Sequence, residues 1–204
     1  DDAETKTFNC FKALLNDSGV SYQEIIENDR VIGGINEASA KSAKNFYYKF
    51  CTGNFSLTDA KTAELVKLTE NTFRDVNIAF ANELSIICSK ADIDTNALIK
   101  IANNHPRVNI LSPGIGVGGH CIAVDPWFII SQDVENTKLI RSARDVNNYK
   151  TEWVVNIIRK AVSKNFSGTG INPKILLLGL VFKPDIDDLR ESKALEIAKT
   201  LIKE

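Results

Sequence analysis

Residues 58–91, TDAKTAELVKLTENTFRDVNIAFANELSIICSKA, decide the fold. No proline or glycine interrupts them, and Thr58 or Asp59 offers a side-chain oxygen to cap the first backbone N–H groups. Ala63, Leu65, Val66, Leu68, Phe73, Val76, Phe80, Leu84, Ile87 and Cys88 recur at helical spacing and make a broad apolar face. At about 1.5 Å per residue, some thirty residues give a helix about 45 Å long. In a chain of 204 residues such a helix is the spine of a bundle or a dimer interface.

Before it, Arg30-Val-Ile-Gly-Gly-Ile35 reads as a strand, Asn36 to Phe50 as a helix ending near Gly53, and Asn54 to Leu57 as a short strand. That is a βαβ unit, as at the end of a parallel α/β domain. After it, Asp94 to Asn103 reads as a short helix ended by Pro106. Asn136 to Asn165 reads as a longer one, with Leu139, Ile140, Ala143, Val146, Trp153, Val154, Ile157, Ile158 and Val162 on its apolar positions. Ser167 to Pro173 is a turn-rich linker, Lys174 to Leu180 a buried-type strand, and Glu191 to Lys203 an amphipathic helix. The expected fold class is α/β overall, with a mainly α-helical central domain built on one long helix. Residues 28–57 close a first α/β domain, 58–166 form the helical domain, and 172–204 open a second α/β domain. Residues 1–27 stay unassigned, although Cys10 to Leu15 suit a short helix.

A hydrophobic fraction of 44% is that of a globular protein with a real core. The net charge of -1 and the lack of a basic run argue against nucleic acid as a partner. The longest apolar run, Ile175 to Phe182, is far too short to cross a bilayer, and no signal peptide opens the chain. A cytoplasmic protein with no membrane partner is therefore expected. The chain begins at Asp1 and holds no methionine, so it is expected to be a piece or a processed product. Cysteines stand at 10, 51, 88 and 121, none in a CxxC pair, and there are two histidines, so no metal site is expected. Cys88 falls on the apolar helix face as a small hydrophobe.

Chemistry concentrates in Pro113-Gly-Ile-Gly-Val-Gly-Gly-His-Cys-Ile-Ala-Val-Asp-Pro-Trp127. Gly114, Gly116, Gly118 and Gly119 let the backbone come close to a ligand. Cys121 follows them directly, and Asp125 four residues later. The stretch reads either as a glycine turn leading into a buried Ile122–Val124 strand or as a nucleophile on a flexible loop. Within the long helix, Lys67, Asn71 and Asp75 share one face, as a solvated polar stripe or as a functional row. A lysine near a thiol stabilises an oxyanion and lowers the thiol pKa. Asp125 either opens a turn before Pro126 or, among apolar neighbours, pairs with Lys67 or manages a water molecule. Lys183 and Arg190 flank the acidic loop Asp185 to Asp188, placed where ligands bind in α/β sheets. His120 beside Cys121 makes a poor Cys–His pair, because adjacent side chains diverge.

Four segments, Lys67 to Asn77, His105 to Asn109, Pro113 to Phe128 and Phe182 to Ser192, together resemble the UDP-sugar 6-dehydrogenase (UDP-glucose/GDP-mannose dehydrogenase) family. The resemblance runs from about Asn28 to Glu204. It implies Rossmann-like flanking pieces: residues 28–57 would end an NAD-binding domain, 58–166 would form the central dimerisation domain, and 172–204 would start a UDP-binding domain. It implies NAD as cofactor, a homodimer or higher homo-oligomer through the long helix, and oxidation of a sugar C6 alcohol to the acid through a cysteine thioester.

By the same resemblance Cys121 is the nucleophile, Lys67 stabilises the oxyanion, Asn71 positions substrate or water, and Asp125 assists proton transfer and thioester hydrolysis. Gly114, Gly116, Gly118 and Gly119 wrap the sugar diphosphate, with His120 beside them. Arg107 reaches substrate across the dimer, Lys183 binds substrate and Arg190 approaches the cofactor. Val124 and His120 differ from UDP-glucose relatives and favour a UDP-N-acetylhexosamine, N-acetylmannosamine first. UDP-N-acetylglucosamine or UDP-glucose, or a non-catalytic dimerisation module, are the alternatives. The family's amino-terminal G-x-G-x-x-G loop and amino-terminal glutamate have no match, so the chain by itself is expected to be inactive.

Overall fold

The computed structural model describes residues 26–183 and 187–204. Two compact units divide the chain, residues 1–67 and 68–204. The expected helix at Cys10–Leu15, and Asp185 of the acidic loop, lie outside the described residues.

In the first unit, β1 (Arg30–Gly34) and β2 (Phe55–Asp59) pair in parallel, Arg30 opposite Phe55 and Gly34 opposite Asp59, with α1 (Glu37–Tyr47) as the crossover. Asn36 caps α1: its Oδ1 accepts the Ser39 N–H at 2.9 Å, while Ser39 Oγ accepts the Asn36 N–H at 3.2 Å. Gly33 is a glycine because a Cβ there would sit 2.6 Å from Ala63 Cβ. This is the βαβ arrangement expected from the sequence, with its helix ending three residues before Phe50.

α2 (Ala60–Ala91) is the long helix. Asp59, rather than Thr58, caps it, accepting the Thr62 N–H at 2.9 Å and the Thr62 hydroxyl at 2.6 Å. In the second unit follow α3 (Thr95–Ala102, capped by Asp94), α4 (Asp125–Gln132), α5 (Lys138–Phe166) and α6 (Lys193–Ile202, capped by Ser192). No helix among the described residues is long and apolar enough to cross a membrane.

Three expectations need correction. Ile122–Val124 is not a strand: it is a turn that runs into α4, with Asp125 and Pro126 in the first helical turn, where a proline lacks no hydrogen bond. Lys174–Leu180 is not a strand either. A strand needs a neighbour to complete its ladder, and among the described residues the sheet holds β1 and β2 alone, while Leu176 and Leu178 are 82% and 92% exposed. Finally, the buried side of α2 is not its apolar face. Asn71, Thr72, Asp75, Asn82 and Ser85 are buried there beside Ala79, Ala81, Ile86 and Cys88, whereas Phe73, Phe80 and Ile87 are exposed. α5 answers in kind by burying Arg144, Asn147, Lys150 and Thr151, with Leu139 and Ile157 exposed.

Candidate active site

Two charges meet at the centre of the second unit. Asp75 Oδ1 accepts from Arg144 Nη1 at 2.6 Å, and both side chains are almost wholly buried. Asn147 Nδ2 donates to the same oxygen at 2.8 Å. Burial pushes the Asp75 carboxyl above its ordinary value, against the pull of Arg144 and Asn147. Beside this pair, Lys150 Nζ donates to Ser85 Oγ at 2.6 Å and lies 4.0 Å over the Trp153 ring. Its burial lowers its pKa. The composition of α5 gave no hint of these partners, because hydrophobic periodicity ignores polar side chains that pair with one another.

The glycine stretch is fixed upon this core. The Gly114 N–H donates to Asn82 Oδ1 at 2.8 Å, and the Thr151 hydroxyl donates to the Ile115 carbonyl at 2.8 Å. Gly116, at φ +123°, passes so near Thr151 Oγ1 and the Asn147 carbonyl that no side chain fits. Gly119, at φ +85°, lies under the Phe182 ring, where a Cβ would come within 2.7 Å, and its N–H donates to the Arg190 carbonyl at 3.2 Å. A Cβ on Gly118 would meet the Glu191 carbonyl at 2.5 Å, whereas Gly114 has open space to 3.6 Å. Three of the four glycines thus serve close packing against α5 and the 182–192 segment.

Beyond the glycines, Cys121 is exposed, whereas Cys51 and Cys88 are buried. Its carbonyl accepts the Val124 and Asp125 N–H groups at 3.0 and 2.8 Å, which folds the chain into α4. There Asp125 Oδ2 accepts from Asn71 Nδ2 at 2.6 Å. This contact joins two of the candidate residues across 54 positions of sequence. Lys67 stands one turn before Asn71 on α2.

Of the remaining candidates, His120 Nδ1 lies 3.8 Å from Asp188 Oδ2, and Arg190 grips the same carboxylate through Nε at 3.0 Å and Nη2 at 2.6 Å. Hydrogen bonds from Arg190 hold the Asp188 pKa down at about 2. The Arg190 pKa rises, first through its bond to Asp188 and also through the charge of Cys121, so the guanidinium and the thiol are within electrostatic reach. Asp188 and Phe182 went unremarked as partners in the sequence; the place of Phe182 at the end of the apolar run and of Asp188 in the loop after it was the available signal. Lys183 is exposed. Arg107 is exposed on a loop clamped by Asn103, whose amide donates to the Ile110 carbonyl at 3.0 Å and accepts its N–H at 2.7 Å.

The turn between β1 and α1 does not fit a dinucleotide pyrophosphate. A Cβ on Gly34 would meet the Asn36 carbonyl at 2.5 Å and the Ala40 nitrogen at 2.6 Å, and Asn36 and Ser39 already occupy the helix N-terminus. Among the described residues no group of His, Cys, Asp or Glu is placed to hold a metal ion.

Comparison with known proteins identifies the family. Residues 61–149 match the central domain of the UDP-glucose/GDP-mannose dehydrogenase family, and residues 176–204 match that family's UDP binding domain. A UDP-N-acetyl-D-mannosamine dehydrogenase from Campylobacter jejuni is 54% identical over 202 residues, 99% of this chain and 48% of that protein. An NDP-N-acetyl-D-galactosaminuronic acid dehydrogenase from Ralstonia solanacearum is 48% identical over 204 residues, 100% of this chain and 47% of that protein, so the match takes in the unassigned residues 1–27. The UDP-N-acetyl-mannosamine dehydrogenase Cap5O from Staphylococcus aureus superposes with a TM-score of 0.77 at 48% identity, over 89% of this chain and 42% of that one. The chain spans about half the length of the relatives it matches. With the two family domains in order and Cys121, Asn71 and Asp125 inside the first, the chain belongs to the UDP-glucose/GDP-mannose dehydrogenase family.

Proposed function

We propose that the protein containing this chain oxidises C6 of a UDP-N-acetylhexosamine, N-acetylmannosamine first, from the alcohol to the carboxylate through a thioester on Cys121. The observation that carries the proposal is the Asn71–Asp125 hydrogen bond of 2.6 Å, formed one helical turn after the exposed thiol. The relatives' names supply the sugar class: one is named for UDP-N-acetyl-D-mannosamine and the other for an NDP-N-acetyl-D-galactosaminuronic acid.

The cysteine answers a chemical need. An aldehyde carbon offers no hydride until a nucleophile has added to it. The Cys121 thiolate adds to give a thiohemiacetal, loss of hydride leaves the acyl group on sulfur, and water frees the acid and returns the thiolate. Bound in the full protein, NAD⁺ would supply the acceptor for the two hydrides of the four-electron oxidation. Asp125 takes the proton of the attacking water, and Asn71 holds that carboxylate in place. Lys67, on the same helix face as Asn71, stabilises the oxyanion. Arg190 is within electrostatic reach of the thiol and would help hold the cofactor in the full protein. Lys183, Arg107, His120 and the glycine loop contact the nucleotide sugar.

The reading extends to assembly and place. Phe73, Phe80 and Ile87 lie seven residues apart on one exposed stripe of α2, the spacing at which two helices pack. A homodimer through this helix covers the stripe and brings Arg107 to the partner's substrate. Rossmann-like domains flank the helical one, and the protein works in the cytoplasm. Since the family's amino-terminal dinucleotide loop and glutamate have no match in the sequence, these 204 residues alone do not turn over.

Thiol labelling tests the function. Cys121 reacts fast with iodoacetamide near neutral pH, and a UDP-N-acetylhexosamine slows it. A slow Cys121, or one that UDP-sugar leaves unshielded, favours a non-catalytic dimerisation module. NADH formation from UDP-N-acetylmannosamine by the 204-residue chain refutes its predicted inactivity.

A further inference from the structure

Asn82 is fully buried between α2 and α5, and both ends of its amide are engaged. Its Oδ1 accepts the Gly114 N–H at 2.8 Å, and its Nδ2 donates to Asn147 Oδ1 at 2.9 Å. Asn147 Nδ2 in turn donates to Asp75 Oδ1 at 2.8 Å and to the Asp75 carbonyl at 3.1 Å. The order of donors and acceptors is dictated from one end. A carboxylate only accepts, so Asn147 must turn its NH₂ toward Asp75, which leaves its oxygen for Asn82. Asn82 must then turn its own NH₂ to that oxygen, which leaves an acceptor facing Gly114. The charge of Asp75 is thereby expressed, two amides away, as an acceptor at the first glycine of the loop.

Stability gives a poor account of this cluster. Asp75 Oδ2 and Arg144 Nε are buried with no hydrogen-bond partner among the described residues, and a buried ion pair left so incomplete contributes little net free energy. Its effect lies in orientation. The loop is held at four points: Gly114 by Asn82, Ile115 by Thr151, Gly119 by the Arg190 carbonyl, and Asp125 by Asn71. Cys121 lies between the last two.

We propose that Asn82, oriented by Asp75 through Asn147, is a positioning residue for the loop that carries Cys121. The inference rests on the nucleophile reading for its use alone; the relay itself stands or falls on the Gly114 N–H.

The test is a double-mutant cycle read as amide hydrogen exchange of Gly114 in the 204-residue chain. Asn82→Ala removes the acceptor and speeds Gly114 exchange about tenfold, the size of one hydrogen bond in a buried setting. Asp75→Asn leaves a side chain that can present either amide group to Asn147, so it speeds Gly114 about threefold. In the Asn82→Ala background Asp75→Asn adds nothing at Gly114, although residues 75 and 82 share no direct bond and would otherwise act additively. Amides of Ala79 and Ala81, in the middle of α2, keep their rates. An Asp75→Asn effect of equal size in both backgrounds overturns the proposal. So does a rise at Ala79 and Ala81 matching that at Gly114, which marks general loosening. If Asn82→Ala does not fold, the unaltered chain decides: a scalar coupling between the Gly114 nitrogen and the Asn82 Cγ is expected across the hydrogen bond, and its absence sinks the relay. Alkylation of Cys121 in the same samples separates the two readings, because an inert thiol with the expected Gly114 response leaves the relay standing and removes the nucleophile.

Discussion

Replacing Arg144 with alanine leaves the Asp75 carboxylate buried with Asn147 as its remaining side-chain partner. Breaking a buried pair from one side costs about 3–5 kcal/mol, because a charge stays behind in a poorly solvated place. The retained Asn147 bond at 2.8 Å keeps the loss near the lower end, about 3 kcal/mol. For a chain of this size that is a fall in Tm of about 6–12 °C, at 2–4 °C per kcal/mol. Acid should restore part of it. Burial raises the Asp75 pKa and Arg144 pulls it down, so the variant's carboxyl titrates higher still. A native state that holds a proton the unfolded chain has lost is less stable as pH rises, in the window between the ordinary carboxylate pKa and the raised one. Urea unfolding followed by far-UV circular dichroism at pH 5 and pH 8 should show a wider gap between variant and wild type at pH 8. A loss below about 1 kcal/mol, or one equal at both pH values, would refute this reasoning. Asp75→Leu combined with Arg144→Met, which removes both charges, should recover most of the stability.

Other perturbations follow from the same contacts. Gly119→Ala forces a methyl against the Phe182 ring at φ +85° and should cost about 1–3 kcal/mol, seen as protease cleavage of the 182–192 segment before global unfolding. The Asp188 carboxyl, held at about 2, should show its carboxylate chemical shift moving near that pH; its contribution is present above the ordinary carboxylate range and lost as pH falls toward 2. A titration near 4 would contradict the Arg190 bond. Ser192→Ala removes the α6 cap and should lower helix stability by about 1 kcal/mol by urea unfolding, with no change expected at Asp94–Ala102. Phe80→Glu should convert a dimer to monomer in sedimentation, whereas a persisting dimer would place the interface elsewhere.

How much of this was legible beforehand differs from element to element. α2 was readable to within a residue or two, because it is long, periodic and free of breakers, and its cap lay one residue from the first candidate. Its buried face was not readable. Apolar periodicity points to Phe73, Phe80 and Ile87, whereas the side packed in the second unit carries Asp75 and Asn82, made tolerable by Arg144 and Asn147 from 65 to 72 residues away. Pairing at that distance leaves no local trace. Lys174–Leu180 has the composition of a strand, but the ladder depends on a neighbour, and composition does not supply one. At the site, helix spacing put Lys67 and Asn71 on one face, and the family resemblance marked Cys121 and Asp125. The Asn71–Asp125 bond joined the two sets. Left to spacing alone, the glycines read as ligand-facing, while Gly116, Gly118 and Gly119 are pressed against Thr151, Glu191 and Phe182.

The central claim is that Cys121 carries the substrate. It is tested most directly by incubating the full-length protein with UDP-N-acetylmannosamine and NAD⁺, quenching in acid within the first turnovers and identifying acylated peptides by mass spectrometry. A uronyl adduct on Cys121, absent from Cys51 and Cys88 and absent without NAD⁺, is the predicted result. Turnover with no adduct, together with full activity of Cys121→Ser, would contradict the account.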